Sequence, residues 1–282
     1  FQAEDVIRDS STSRGLGDVY KRQTHHFDLL NWWIDSDPDE VFALGDLEHY
    51  GKNGPFRGFN CRSCEFKNKC DYYLDITKNK LLMDLYVNNE KYDGYIRDKC
   101  LFREDIDIYD KMSAQIKYTN NVSVNYSLTT YSPFEGWRIA FNGTEGRIEA
   151  SLDIPYDKKE TINQEELHVK EMDQNAVEEI YTEPIIVHKL WEKHDTITVE
   201  VEKEGHVGGD ARLLSKIFVT PDENDQFDRS AGLRDGLMSI IIGIAARSSI
   251  EKNKPVKIKD LIDLKPLSCL LYTSQSPRDV EE

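Results

Sequence analysis

Apolar residues recur at helical spacing at Phe27, Leu30, Trp33 and Ile34, and Ser36-Asp37-Pro38 closes that helix. Val41 to Leu44 reads as a short strand. Gly51 to Cys70 is a loop punctuated by Gly51, Gly54, Pro55 and Gly58, and Leu81 to Val87 fits a short helix. Beyond Cys100 the period changes to two: Val122, Val124, Tyr126, Leu128 and Thr130 alternate with polar residues, as in a half-buried strand. Asn142-Gly143 between Arg138–Phe141 and Arg147–Ser151 predicts a hairpin, because that dipeptide tolerates positive φ. Ile185–Leu190 and Thr196–Val201 continue the strands. Two helices follow, Asp210–Phe218 and Ala231–Lys252, the latter with Leu233, Leu237, Ile240, Ile241 and Ile244 on one side. Strands in succession with few helical crossovers predict an α+β fold: an open, mostly antiparallel or mixed sheet with helices on one face.

Composition narrows the partners. The chain has 282 residues and a formal charge of −16, which argues against general affinity for nucleic acid or an anionic membrane. No apolar run approaches the roughly 20 residues that span a bilayer, and no signal peptide is visible, so a cytoplasmic location is expected. Ser10–Gln23 is basic, rich in Ser and Gly and without apolar period; Ser268–Asp279 has similar character. Both resemble translated sequencing-adapter read-through, as in reading frames assembled from environmental DNA. Residues 1–23 and 267–282 are therefore set aside as a non-native or disordered leader and tail, leaving 24–266 as the folded domain.

Chemistry concentrates in Thr24-His25-His26-Phe27-Asp28. Imidazole titrates near neutrality, so a histidine on a pocket wall can exchange a proton with a substrate hydroxyl. Adjacent histidines at a helix start cannot both face the core; Asp28, in the first turn, suits the helix dipole. His206-Val207-Gly208-Gly209-Asp210 offers a second wall, where glycines admit a ligand and His206 and Asp210 can bond hydroxyls, although Asp210 equally suits a helix cap. Tyr131 is a further candidate. Gly15-Leu16-Gly17 lacks the preceding apolar strand of a dinucleotide fingerprint and is rejected as a cofactor loop.

Cys61, Cys64 and Cys70 (C-x2-C-x5-C), with Cys100 further on, supply the four thiols of a tetrahedral site. Three readings stand: structural zinc, with an iron–sulfur cluster as a variant; reduced or redox-active thiols; or two disulfides. Arg62, Lys67 and Lys69 are expected to lower the thiol pKa values.

The order of several motifs carries a resemblance. Thr24–Trp33 followed by Pro38 and Val41-Phe42-Ala43-Leu44-Gly45, then Asn142-Gly143-Thr144-Glu145-Gly146-Arg147, His206–Asp210 and Ala245-Ala246-Arg247-Ser248-Ser249, is similar to the carboxyl-terminal domain of the Gfo/Idh/MocA (glucose–fructose oxidoreductase/inositol dehydrogenase) family. The resemblance implies a two-domain enzyme, in which a Rossmann domain binds NAD or NADP. The present domain supplies a substrate wall and, through its open sheet face, a homo-oligomer contact. It makes His25 the histidine of an Asp-x-x-x-His proton-transfer pair, with His26, His206, Asp210 and Tyr131 as substrate-orienting residues. The paired aspartate would fall at Lys21 and a preceding Gly-Gly at Leu16 and Gly17, departures that lie inside the segment set aside. The family's Glu-Lys-Pro lysine has no counterpart here. The expected function is thus the substrate-binding portion of an NAD(P)-dependent sugar or polyol oxidoreductase, inactive by itself. The alternatives are a fragment of an NAD-dependent glycosidase and a cofactor-free sugar-binding or assembly domain.

Overall fold

Lys111 to Tyr118 alternates strictly between polar and apolar residues, and it forms the strand around which the first sheet is built. A computed structural model describes residues 17–132, 137–152, 181–201, 209–219, 227 and 229–268. The first elements are helix α1 (Gly17–Ile34), strand β1 (Pro38–Asp46), two short helices α2 (Lys80–Leu85) and α3 (Glu90–Asp93), and strands β2 (Lys111–Tyr118) and β3 (Ser123–Thr129). Next come β4 (Trp137–Asn142), β5 (Gly146–Leu152), β6 (Tyr181–Lys189), β7 (Asp195–Val201), helices α4 (Gly209–Phe218) and α5 (Leu233–Lys252), and the two-residue strand β8 (Val256–Lys257). They form two antiparallel sheets, ordered β3-β2-β1-β8 and β4-β5-β6-β7. The α+β class and antiparallel pairing predicted from the sequence are present. The strands divide between two sheets because alternation specifies a strand's faces and leaves its partners open.

The chain clusters into two compact units, one of residues 3–131 with 225–282 and one centred on 132–224. In the first, Met112, Ala114, Ile116 and Tyr118 of β2 are buried while Lys111, Ser113, Gln115 and Lys117 face out. Val41 and Ala43 of β1 join them beneath α1 and α5, with Phe27, Leu30, Met238, Ile241, Ile242 and Ala245. The sequence reading had not picked out β2, although its alternation is strict.

Both long helices bury part of the predicted face, Phe27 and Leu30 on α1 and Ile241 on α5, but each buried stripe is rotated away from the rest of it. On α1 the inward stripe is Phe27, Leu30 and Asn31, while Trp33 is 41% exposed. Asn31 is drawn in because its Oδ1 accepts the buried Tyr118 hydroxyl at 2.9 Å. On α5, Met238, Ser239, Ile241, Ile242, Gly243, Ala245 and Ser249 are buried, and Leu233 is 93% exposed. Small residues let α5 lie close on β1: a Cβ at Gly45 would come within 2.9 Å of Ile250. Strand β8 pairs only with Glu40 and Val41, so the Ala43 N–H beyond it needs another acceptor. The buried Ser249 Oγ accepts it at 2.9 Å and itself donates to the Lys254 carbonyl.

In the second unit, β4 and β5 form the predicted hairpin, with Asn142 paired to Arg147 across Gly143. Helix α4 spans the predicted stretch and has no buried residue. Among the described residues no helix is long and apolar enough to cross a membrane.

Candidate functional site

Helix α1 carries the histidine pair. It begins at Gly17, ahead of the apolar spacing, and ends where Asp35 takes a positive φ of 55° and returns its N–H to the Trp32 carbonyl. With Phe27 facing the core, the neighbouring positions divide: His25 is exposed and His26 is half-buried. His26 Nδ1 and the Tyr126 hydroxyl of β3 share a hydrogen bond of 2.8 Å, and the Tyr126 ring packs against both His26 and Phe27. Burial, and then the adjacent His25, hold the His26 imidazole below its ordinary value of 6.5, so it is neutral at physiological pH. Burial also pushes the Tyr126 hydroxyl well above its ordinary value, keeping its proton on. The site therefore pairs an exposed imidazole with a neutral, anchored one. Tyr126 also lines a small cavity with Phe27, Ala43, Ala114, Asp107 and Arg247.

Asp28 lies one turn beyond His25, half-buried, and faces the start of α5. Burial pushes its carboxyl up from 3.8, Asp235 pushes it further, and His25 opposes both. Asp235 is the α5 first-turn acid, accepting the Gly232 N–H at 2.7 Å. A carboxyl whose folded pKa lies above its unfolded one favours the fold when protonated. That contribution is fully present below pH 3.8 and is lost as pH rises through the folded value. Asp28→Asn should therefore raise the melting temperature at pH 7, and the gain should shrink to nothing near pH 3.8, checked by thermal melts across that range. An unchanged melt at pH 7 would show that the carboxylate is not destabilised.

The remaining candidates lie on other elements. Tyr131 lies past the end of β3, five residues and about 17 Å along the chain from Tyr126. It packs on His49 and donates to Glu48 at 3.3 Å, in an aromatic group with Tyr50, Tyr72 and Phe102 rather than beside the histidine pair. Asp210 is an exposed first-turn residue of α4, in the second unit, and His206 lies outside the described residues. Tyr126 and Asp235 were missed. Tyr126 was legible only as an inward strand position, and Asp235 only as a helix-start acid.

The cysteines do not make the predicted metal site. Among the described residues no group of three or more His, Cys, Asp or Glu side chains is placed to hold a metal ion, which corrects the zinc reading of Cys61, Cys64, Cys70 and Cys100. None of the four is in a disulfide among the described residues. Cys61 is buried, its N–H bonded to the Asp98 carbonyl at 2.8 Å. Arg62 is engaged by Asp98 and Glu90, and the Cys70 thiol, expected to be lowered, is pushed up by burial.

The chain matches the profile of an oxidoreductase family's C-terminal alpha/beta domain over residues 11–258. It belongs to the Gfo/Idh/MocA oxidoreductase family. Among Gfo/Idh/MocA-related proteins, it is 33% identical over 270 residues to YteT of Bacillus subtilis (strain 168), a protein named as an oxidoreductase. That match covers 91% of this chain and 59% of YteT. A structure from Desulfitobacterium hafniense, titled as an NADPH-dependent oxidoreductase, is similar at a TM-score of 0.45 and 11% identity, over 85% of this chain and 47% of that one. Aldose-aldose oxidoreductase from Caulobacter crescentus, complexed with glycerol, is similar at a TM-score of 0.43 and 9% identity, over 83% and 45%. The chain thus spans less than two thirds of the length of these relatives.

Proposed function

We propose that this Gfo/Idh/MocA domain binds the substrate of an NAD(P)-dependent sugar or polyol oxidoreductase, with His25 as the group that exchanges a proton with the reacting hydroxyl. The observation that carries this reading is the division of labour on α1. His25 is exposed, while His26 is neutral and fixed on Tyr126. An exposed imidazole on a rigid helix can accept a hydroxyl proton and return it to solvent. A second imidazole, kept neutral and bonded to Tyr126 through Nδ1, keeps its other ring nitrogen for one further hydrogen bond. Sugars are told apart by paired hydrogen bonds rather than apolar burial, so such groups suit a polyol better than a hydrocarbon.

The described residues do not fit a dinucleotide. Both sheets are antiparallel, whereas the nucleotide cradle of a Rossmann domain needs parallel βαβ units with a glycine turn at a helix N-terminus. We therefore assign NAD or NADP to a segment other than these two sheets and route no step through it here. The open face of β3-β2-β1-β8, where Ser113, Gln115 and the 57% exposed Leu44 point outward, is the surface we assign to a homo-oligomer.

Calorimetric titration of the chain with a panel of aldoses and polyols tests the reading. We expect saturable binding of at least one of them, weakened about tenfold or more by His25→Ala, one lost charge-capable contact. Binding of a polyol that His25→Ala leaves unchanged would remove His25 from the site, and no binding across the panel would count against a sugar or polyol substrate.

A further inference from the structure

Two of the four described thiols meet at a single glycine. The backbone N–H of Gly58 points at Cys100 Sγ at 3.5 Å, and a Cβ built on Gly58 would lie 3.1 Å from Cys64 Sγ. Both sulfurs thus flank a residue that has no side chain to part them. Cys70 completes the group, since its thiol is raised first by burial and then by the nearness of Cys100 and Cys64. Cys70 and Cys100 both pack on the buried cluster of Tyr50, Leu101, Phe102, Ile106 and Ile108. The backbone keeps the two segments together: the Cys100 N–H donates to the Phe59 carbonyl at 3.1 Å, and Asn60 bridges to Lys99. Cys64 and Cys100 are partly exposed, so an oxidant can reach them.

We propose that Cys64 and Cys100 are an oxidisable pair that closes to a disulfide by exchange with a small-molecule disulfide, Cys70 being the neighbouring thiol. In the first step one thiolate of the pair attacks the small disulfide, forming a mixed disulfide and releasing one small thiol. In the second, the other thiolate attacks the protein sulfur of that mixed disulfide and expels the second small thiol. Two protein thiols are oxidised and one small disulfide is reduced to two thiols. The new bond ties the Cys-rich loop to the segment before Leu101, shrinking the conformational freedom of the unfolded chain. Cys70 is as accessible as the pair, and burial shifts its thiol toward the protonated form, which weakens it as a nucleophile. Cys61 is buried, unlike the three partly exposed thiols.

The test incubates the full chain, carrying Cys269→Ser, with oxidised glutathione, blocks remaining thiols with an alkylating agent and maps the linked peptides by mass spectrometry. The expected result is one Cys64–Cys100 cross-link with Cys61 and Cys70 alkylated. The oxidised chain should melt roughly 5–10 °C above the reduced one. That increment should vanish in Cys64→Ser and in Cys100→Ser and survive in Cys61→Ser. Stable glutathione adducts without a cross-link, a cross-link confined to another pair, or a purified chain whose thiols are blocked by bound metal would each overturn the proposal. Cysteine-to-serine changes that lower the melting temperature of the reduced chain do not obscure the outcome, because the reading is the difference between oxidised and reduced forms of each variant.

Discussion

Asp37→Ala should destabilise the first unit by about 3–5 kcal/mol, the range for breaking a buried ion pair. The Asp37 side chain is 1% exposed and takes both fork nitrogens of Arg234, at 2.9 and 2.6 Å. Its Oδ2 also accepts the Leu267 N–H at 2.6 Å, and the Asp37 N–H donates to the Leu267 carbonyl at 2.9 Å. One carboxylate therefore joins the start of β1, the first turn of α5 and the segment after β8. Alanine would remove the carboxylate partner of the guanidinium and the acceptor of the Leu267 N–H together, leaving Arg234 the Lys265 carbonyl and leaving the Leu267 carbonyl its bonds from the residue-37 N–H, Thr119 and Ser36. Asp37→Asn keeps an acceptor but loses the charge, and should cost about half as much. Urea unfolding measures both. A loss below about 1 kcal/mol for alanine would mean the pair behaves as an exposed one, which Arg234, 32% exposed, could in principle allow.

Asp110→Ala should cost a comparable amount, about 3 kcal/mol or more, by a different route. The Asp110 carboxylate is fully buried and accepts three consecutive backbone N–H groups, from Glu48 at 2.8 Å, His49 at 2.7 Å and Tyr50 at 2.9 Å. Its backbone meanwhile ties the entry of β2 to Asp46 and to Thr130. Each of these donors sits where the chain leaves β1 for the cysteine loop, and alanine leaves all of them without an acceptor. Hydrogen exchange at Glu48–Tyr50 should speed up more than exchange within β2, since the ladder there is intact. Equal protection in both places would sink the claim that this carboxylate, rather than the sheet, holds the turn. Because Tyr50 opens onto the buried cluster beside Cys70 and Cys100, loosening it should also expose those thiols to alkylation.

The two ion and hydrogen-bond anchors were invisible to pattern reading. Asp37 was read as part of a helix stop and Asp110 was not noticed, because a carboxylate in a turn is ordinarily solvated. Their partners are distant in the chain: Arg234 for Asp37, and Glu48 to Tyr50 for Asp110. The same distance effect explains the helix faces. Hydropathy favours the large residues Leu233 and Ile240 on α5, but close packing on β1 favours Ala245, Gly243 and Ser249, whose small volume lets backbones approach. Trp33 was placed inward on size, whereas Asn31 won that position through its bond to Tyr118. Of the three cysteine readings the reduced thiols agree with the structure, and the zinc site is the one without support. Spacing can bring sulfurs into one loop, but convergence on a metal depends on side-chain directions that spacing does not set.

What the sequence determined by itself was local. Period-two stretches became strands, Asn142-Gly143 became a hairpin turn, and the motif order from Thr24 to Ser249 marked a Gfo/Idh/MocA domain. Alternation and turn chemistry act between near neighbours, so they survive without a fold to support them. Tertiary structure decided which strands share a sheet and which of two adjacent histidines is neutral and anchored. It also decided which thiols meet across Gly58 and which carboxylates leave water. Those outcomes depend on desolvation and on partners up to 230 residues away, as for Asp37 and Leu267, and only the folded chain brings such groups within reach.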